Sequence, residues 1–228
     1  MRAARWARQR TRASLVFHLL EALRAVIPRR QSGSRCCSPR PIANQNGMVF
    51  TNTPTAFLEP SHGLTRHAGT RPSAAGKAEA LVTSLEGRLG QARGRAAALK
   101  RHPRLYFEEW DEPMISGIGW VAELVEIAGG IDAFPALSQR KNAKERIVSA
   151  EDVISANPEI IVGSWCGKKF VPDKVAARPG FAKIVAVRDG FLREVKSPLI
   201  LQPGPAALTD GLDALAAIIQ EWAAGHSG

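Results

Sequence analysis

LYFEEWDEPMISGIGW, residues 105–120, is the stretch that decides the fold of this chain. It begins as a short apolar run, reaches four acidic residues around Trp110, and continues through a proline into a segment of serine and glycine. Parallel strands end in this way in α/β proteins, because the loops at their carboxyl ends carry the groups that meet a ligand. The pattern predicts a buried strand over residues 105–107, followed by a polar, aromatic loop at a ligand site.

Apolar runs and helical patterns alternate along the rest of the chain. Strands are predicted at residues 160–163 and 184–187, with a shorter candidate at 191–195, and helices at residues 117–128, 149–157 and 205–224. Ser149 with Asp152 forms a capping box by type, and Gly129 with Gly130 stops the first of these helices. Strands that alternate with helices predict an α/β fold with a mainly parallel sheet, covered by helices on both faces.

A long amphipathic helix is predicted upstream of this region, over residues 75–100. Its apolar positions recur at steps of three and four residues: Leu81, Leu85, Leu89, Ala92, Ala96 and Leu99. Basic residues occupy the other face, and Pro103 ends the helix because proline cannot continue the helical hydrogen bonds.

The positive net charge of the chain is confined to its first half. Residues 1–104 hold 19 Lys and Arg against 4 Asp and Glu, whereas residues 105–228 hold 12 against 17. The excess is scattered arginine without interleaved aromatic residues, so it does not indicate a nucleic-acid partner.

Residues 13–27 are favoured as a short amphipathic helix over a secretion signal, because Glu21 and Arg24 interrupt the apolar run. Residues 28–72, rich in Pro, Gly, Ser and Arg, are predicted to be largely irregular.

No constellation in the sequence indicates catalysis or a resident metal. All five histidines lie outside residues 103–225, and the chain has no CxxC, HExxH, GxGxxG or GxxxxGK[ST] motif. One alternative remains open. Cys166 lies next to Lys168 and Lys169 at a predicted strand end, where neighbouring cations favour a thiolate, so a small cytoplasmic α/β enzyme with Cys166 as nucleophile is the rival hypothesis.

Two aromatic loops follow two predicted strands and are expected to meet at one cleft. The first holds Glu109, Trp110 and Asp111, and the second, GSWCGKKF at residues 163–170, holds Trp165 and Cys166. An aromatic ring in a polar loop covers either a ligand or a neighbouring loop, and for most of the acids around it a solvated loop is favoured over a functional role. Gln202, in a proline-rich loop, is a further candidate for the cleft.

Three stretches together resemble a known family. They are YFEEWDEPMISGIGWVAELVEIAGG at 106–130, SAEDVISANPEIIVGSWCG at 149–167 and SPLILQPGPAALTDGLDAL at 197–215. Their order and spacing resemble the second lobe of a class III substrate-binding protein of ABC importers, the vitamin B12 and iron-siderophore family, with most similarity to cobalamin-binding members. The resemblance extends from about residue 76 to 222 and is weaker over residues 48–75.

The resemblance implies two Rossmann-like lobes with the ligand between them. Residues 75–102 would form the long interlobe helix, residues 103–225 the C-terminal lobe, and residues 48–74 a remnant of the N-terminal lobe. Residues 1–47 resemble no part of the family, so most of the N-terminal lobe is expected to be lacking.

The resemblance also implies roles for particular residues. Trp110 with its loop, Trp165 and Cys166 would line the cleft, and Glu151 would dock onto arginines of the permease. The ligand would be cobalamin, a related corrinoid or another metal chelate such as an iron siderophore, bound without catalysis or cofactor by a monomer. The resemblance places the protein in the periplasm, although the sequence has no convincing signal peptide and a genuine start at Met1 would leave it in the cytoplasm.

Overall fold

The computed structural model of the chain describes residues 72–226, with side chains from residue 76 onward. Of these, residues 72–83 belong to one compact unit and residues 84–226 to another. The predictions for the first 71 residues, including the basic segment over residues 1–47, the helix at 13–27 and most of the irregular segment at 28–72, lie outside the described residues.

The first described element is the long helix α1, Pro72–Ala97. Val82, Leu85, Leu89, Ala92 and Ala96 are buried along it at alternating steps of three and four residues, as an amphipathic helix requires. The predicted stripe was wrong at two positions. Leu81 is 43% exposed and its neighbour Val82 is the buried residue, and Leu99 lies beyond the end of the helix. The helix also ends three residues earlier than predicted.

A five-stranded sheet forms the centre of the α/β unit. Its strands are β1 Arg104–Asp111, β2 Met114–Ser116, β3 Ile131–Asp132, β4 Ile160–Gly163 and β5 Leu192–Glu194. The order is β2-β1-β4-β5, and β3 pairs with β1 as well. All pairs are parallel except β1 with β2. The predicted class, an α/β fold with a mainly parallel sheet, is confirmed.

Strand β1 extends four residues beyond its predicted end at Phe107. The acidic segment was expected to be a loop, but it continues the strand to Asp111 and pairs with β2 in an antiparallel hairpin. The register shifts between Glu108 and Trp110, which marks a β-bulge. The acids could enter the sheet because cations elsewhere in the fold neutralise them, and a local sequence pattern does not contain that information.

Seven further helices surround the sheet in the described part of the chain. They are α2 Gly119–Ala128, α3 Pro135–Ser138, α4 Ala150–Ala156, α5 Pro172–Ala176, α6 Val185–Arg188, α7 Ser197–Ile200 and α8 Leu212–Gly225. Short 3-10 turns occupy Ala143–Arg146 and Phe181–Lys183, and a π-helical segment, Ala207–Gly211, leads into α8. No helix within residues 72–226 has the length and apolar character to cross a membrane.

The helix-end signals in the sequence are confirmed. The backbone N–H of Asp152 donates to Ser149 Oγ at 3.1 Å, and the N–H of Ser149 donates back to the Asp152 carboxylate at 2.9 Å. Gly129 ends α2 in the left-handed conformation at φ 102°, which glycine adopts without the steric penalty that other residues meet.

The strand predicted at residues 184–187 was wrong, because this segment begins the short helix α6. Arg188 N–H donates to Ile184 O at 3.1 Å and Asp189 N–H donates to Val185 O at 2.9 Å. Ile184 is fully buried in the core, so the apolar run reflects burial rather than strand geometry. A short apolar run alone does not separate a buried strand from a buried helical turn. The shorter candidate, at residues 191–195, supplies the edge strand β5.

Gly163, the last residue of β4, determines how the loop after this strand folds back. A Cβ atom at this position would lie 1.8 Å from the ring carbon Cδ2 of Phe170. Phe170 is buried and meets the Trp165 ring edge to face, with ring centroids 5.1 Å apart. The close approach at Gly163 therefore lets residues 164–170 form a compact turn over the end of the sheet.

We predict that Gly163→Ala lowers the free energy of unfolding by about 1–3 kcal/mol, because the added methyl group displaces the Phe170 ring from a well-packed core. Urea unfolding followed by circular dichroism measures the change. Gly90→Ala is the matched control, because Gly90 lies in α1 with open space around it, and alanine there should stabilise the helix by about 0.5–1 kcal/mol. Equal effects of the two substitutions would contradict the packing argument.

Candidate functional site

The carboxyl ends of β1 and β4 meet at one edge of the sheet and form the candidate site. Trp110 and Asp111 belong to the last part of β1, and residues 164–171 follow β4. The backbone N–H of Ser164 donates to Glu108 O at 2.8 Å and joins the two segments. The structure thus brings the two predicted aromatic segments together, although the first is a strand and hairpin rather than a loop.

Glu108 lies beneath this surface and is fully buried. Its carboxylate accepts two hydrogen bonds from Arg178, at 2.6 and 2.9 Å, one from Trp165 Nε1 at 2.9 Å and one from the Tyr106 hydroxyl at 3.1 Å. Burial, and then the negative charge of Glu108, raise the pKa of Tyr106 well above its usual value. Because a buried carboxylate is tolerated only when it is paired and hydrogen-bonded, Glu108 fixes the positions of its three partners.

Asp111 holds two lysines at the edge of the site. Lys168 Nζ lies 2.7 Å from one carboxylate oxygen and Lys174 Nζ lies 2.8 Å from the other. The Asp111 side chain is 1% exposed, whereas the lysines are 43% and 54% exposed. Burial acts to raise the pKa of Asp111, but the hydrogen bonds and charges of the two lysines outweigh it and lower that pKa to about 2.

The two tryptophans of the site differ in their exposure. Trp110 is half-buried, its indole N–H donates to Glu112 O at 2.8 Å, and Lys168 Nζ lies 4.1 Å from its ring centroid. Trp165 was expected to line the cleft, but it is only 3% exposed and belongs to the hydrophobic core. Its indole N–H is directed to Glu108 because burial of that N–H requires an acceptor. Trp165 therefore supports the surface from below.

Glu109 takes part in a second buried ion pair. Its carboxylate bonds to the guanidinium of Arg146, which is 2% exposed and also donates to Ser116 O. Glu109 is therefore engaged with the 3-10 turn beneath the hairpin, so its carboxylate is neutralised within the fold. The favoured interpretation of these acids, a solvated loop, was wrong for Glu108, Glu109 and Asp111. Of the four acids, Glu112 alone is exposed.

The remaining predicted residues lie at the surface. Cys166 is a free, exposed thiol, and Gln202 is exposed in the loop after α7. Glu151 is exposed in the first turn of α4. The two histidines in the described part of the chain, His102 and His226, bond to backbone carbonyls of Gly129 and Trp222. Residues 72–226 contain no group of three or more His, Cys, Asp or Glu side chains that could hold a metal ion.

The sequence did not reveal the cations that complete the site. Arg146, Lys174 and Arg178 lie between 37 and 70 residues from their acidic partners. No fixed spacing links such pairs, because loop lengths between the elements set the separation. The one available signal was the density of acids in an otherwise apolar strand, since buried carboxylates require cationic partners.

Comparison with known proteins identifies the family to which this chain belongs. The family model described as "Periplasmic binding protein" matches residues 48–199. The chain belongs to this family. No curated protein matches this periplasmic binding protein in sequence.

Solved structures share the fold of this periplasmic binding protein at low sequence identity. A periplasmic binding protein from Veillonella parvula has 23% identity and a TM-score of 0.56, covering 65% of this chain and 52% of its own. The periplasmic heme-binding protein RhuT from Roseiflexus has 22% identity and a TM-score of 0.53, with coverages of 72% and 61%. The periplasmic vitamin B12 binding protein BtuF of Vibrio cholerae has 18% identity and a TM-score of 0.51, with coverages of 70% and 58%. The chain thus spans between half and about three fifths of the length of these structures.

We predict that Glu108→Gln lowers the free energy of unfolding by about 3 kcal/mol, because it leaves the guanidinium of Arg178 without its buried counter-charge. Chemical denaturation at neutral pH measures this loss. Glu221→Gln is the matched control, since it removes an exposed pair with Arg193 and should cost less than about 1 kcal/mol. Comparable losses in the two variants would show that burial does not govern the strength of these pairs.

The depressed pKa of Asp111 predicts a pH dependence of stability. The folded-state pKa of about 2 lies below the unfolded value of about 3.9, so the stabilisation is complete above about pH 5 and is lost as the pH falls toward 2. Asp111→Asn should therefore cost about 2 kcal/mol at pH 7 and about half of that at pH 3. Urea titrations of both proteins at the two pH values measure the difference.

Asp213→Asn serves as the control for this pH dependence, because Asp213 forms an exposed ion pair with Arg88. Its cost should be small at both pH values. A cost of Asp111→Asn that stays constant between pH 7 and pH 3 would contradict the assignment of Asp111 as the titrating group.

Proposed function

We propose that this periplasmic binding protein is the substrate-binding component of an ABC importer and that its ligand is a metal chelate of the corrinoid, heme or iron-siderophore class. The observation that carries the proposal is the position of Trp110. Its half-exposed ring lies at the carboxyl end of the central strand, where open α/β sheets bind their ligands. Its indole N–H is already bonded to Glu112 O, so the ring is oriented before a ligand arrives.

The ligand class is supported by the fold neighbours and by the surface itself. One neighbour is a heme-binding protein and another a vitamin B12 binding protein, and both ligands present broad planar faces. A large aromatic ring such as Trp110 makes a favourable flat contact with such a face. Cobalamin, the ligand that the sequence resemblance implies, is one member of this class.

In this proposal the ligand face consists of Trp110, Cys166 and Lys168, with Gln202 as a further contributor. The carboxylates of Glu109 and Asp111 are engaged within the fold, so these residues contribute by holding Arg146 and Lys168 in place. Trp165 lies behind this surface and holds Phe170 and the buried Glu108 in place.

The proposal also assigns roles to other parts of the chain. Glu151 is the permease-docking residue, consistent with its exposed position at the start of α4. Helix α1 is the interlobe helix, residues 103–225 form the C-terminal lobe, and residues 48–74 belong to the N-terminal lobe. The proposed location is the periplasm, and the proposed function is binding without catalysis.

Titration of the full chain with cyanocobalamin, iron(III) protoporphyrin and a ferric hydroxamate tests the proposal. We expect saturable quenching of tryptophan fluorescence with at least one of these probes, confirmed by isothermal titration calorimetry. Trp110→Ala should weaken that binding by at least about tenfold, because it removes the flat aromatic contact.

Trp110→Phe is the matched variant, since it keeps an aromatic face and should retain most of the affinity. Lys183→Met, which changes an exposed lysine in a separate turn, should bind as the wild type does. The absence of saturable binding with all three probes would overturn the proposed function. Equal affinities of the wild type and Trp110→Ala would show that Trp110 is not part of the binding face.

A further inference from the structure

A single buried carboxylate arranges two ammonium groups over the two indole rings of the site. Lys168, bonded to one oxygen of Asp111, lies 4.1 Å from the centroid of Trp110. Lys174, bonded to the other oxygen, lies 5.6 Å from the centroid of Trp165. Because Asp111 is itself almost inaccessible, it acts as an internal anchor and leaves the lysines to face solvent.

The surface around Trp110 carries an excess of accessible positive charge. Lys168, Lys169 and Lys174 are all exposed, whereas Asp111 is buried and Glu112 is the one exposed acid of the hairpin. The charges of Glu108 and Glu109 are already neutralised by buried or mostly buried arginines. Asp173 is exposed beside Lys174, so the three lysines leave an excess of one accessible positive charge on these segments.

Lys168 occupies one face of Trp110, so a planar ligand that stacks on that face competes with it. A ligand that stacks on this face must displace an ammonium group that the ring attracts electrostatically. An anionic group at the edge of the ligand compensates for this loss by pairing with the displaced ammonium group. A ligand with a neutral edge offers no such ion pair, so Lys168 loses its contact with the ring without a replacement.

We infer that Lys168, anchored by Asp111, sets the charge specificity of the ligand face and selects planar ligands that carry carboxylate groups at their edge. The inference rests on the proposed function, because it assumes that a planar ligand stacks on Trp110. Lys168 is a specificity-determining residue in this account: it penalises neutral planar ligands and rewards anionic ones. Asp111 is a positioning residue, since its side chain contacts the lysines rather than the ligand.

A matched pair of probes tests this inference on the full chain. Iron(III) protoporphyrin carries two edge carboxylates, and its dimethyl ester presents the same plane without them. We expect the wild type to bind the diacid about tenfold or more tightly than the diester, with an affinity for the diacid that falls as salt concentration rises.

Lys168→Met should change the two affinities in opposite directions. Binding of the diacid should weaken because its ionic partner is lost, and binding of the diester should strengthen because no ammonium group has to be displaced from the ring. Lys168→Arg should retain the preference for the diacid, and Lys183→Met should behave as the wild type. If the substitution merely disturbed the structure, the affinities for both probes would fall together.

The outcomes separate the inference from the proposed function. Equal affinities of the wild type for diacid and diester would overturn the charge selectivity while leaving the proposed function in place. A parallel loss of both probes in Lys168→Met, with circular dichroism unchanged, would also overturn it. The proposed function and the inference would both be overturned if no probe binds, that is, neither porphyrin, nor cyanocobalamin, nor a ferric hydroxamate.

Discussion

The pairing of Glu108 with Arg178 is the interaction on which the rest of this surface depends. A carboxylate without solvent access is stable only if every oxygen is satisfied, and Glu108 meets that demand with Arg178, Trp165 and Tyr106. These partners come from the central strand, the segment after β4 and the turn that follows α5. One buried charge thereby couples three separate parts of the chain, and the position of Trp165 at the end of the sheet follows from it.

The charged groups of the site form two layers with different consequences. In the lower layer, Glu108 and Glu109 are neutralised by arginines, which provide several donors in a fixed plane and suit buried pairing. In the upper layer, Asp111 is paired with lysines whose ammonium groups remain accessible. The lower layer holds the hairpin and the loop in place, and the upper layer presents cations beside a half-exposed aromatic ring. The carboxylates of Glu108, Glu109 and Asp111 are thus all engaged in ion pairs within the fold.

Prediction from sequence succeeded where the physical signal is local. The apolar runs of β1 and β4, the capping box at Ser149 and the glycine at position 129 all depend on residues within a few positions of one another. Prediction failed where burial alone shaped the pattern. The run at residues 184–187 is apolar because Ile184 lies in the core, and the same run is compatible with either a strand or a helical turn.

The sequence by itself determined the class of the fold, the capped ends of α2 and α4 at Gly129 and Ser149, and the meeting of two aromatic segments at one edge of the sheet. These properties follow from apolar periodicity and from capping residues, which act over short distances. Only the tertiary structure decided that Trp110 faces outward while Trp165 is buried, and that the acids of β1 belong to a strand. The physical reason is that the charge of each acid is balanced by a cation distant in sequence, and only the folded chain brings the two within hydrogen-bonding distance.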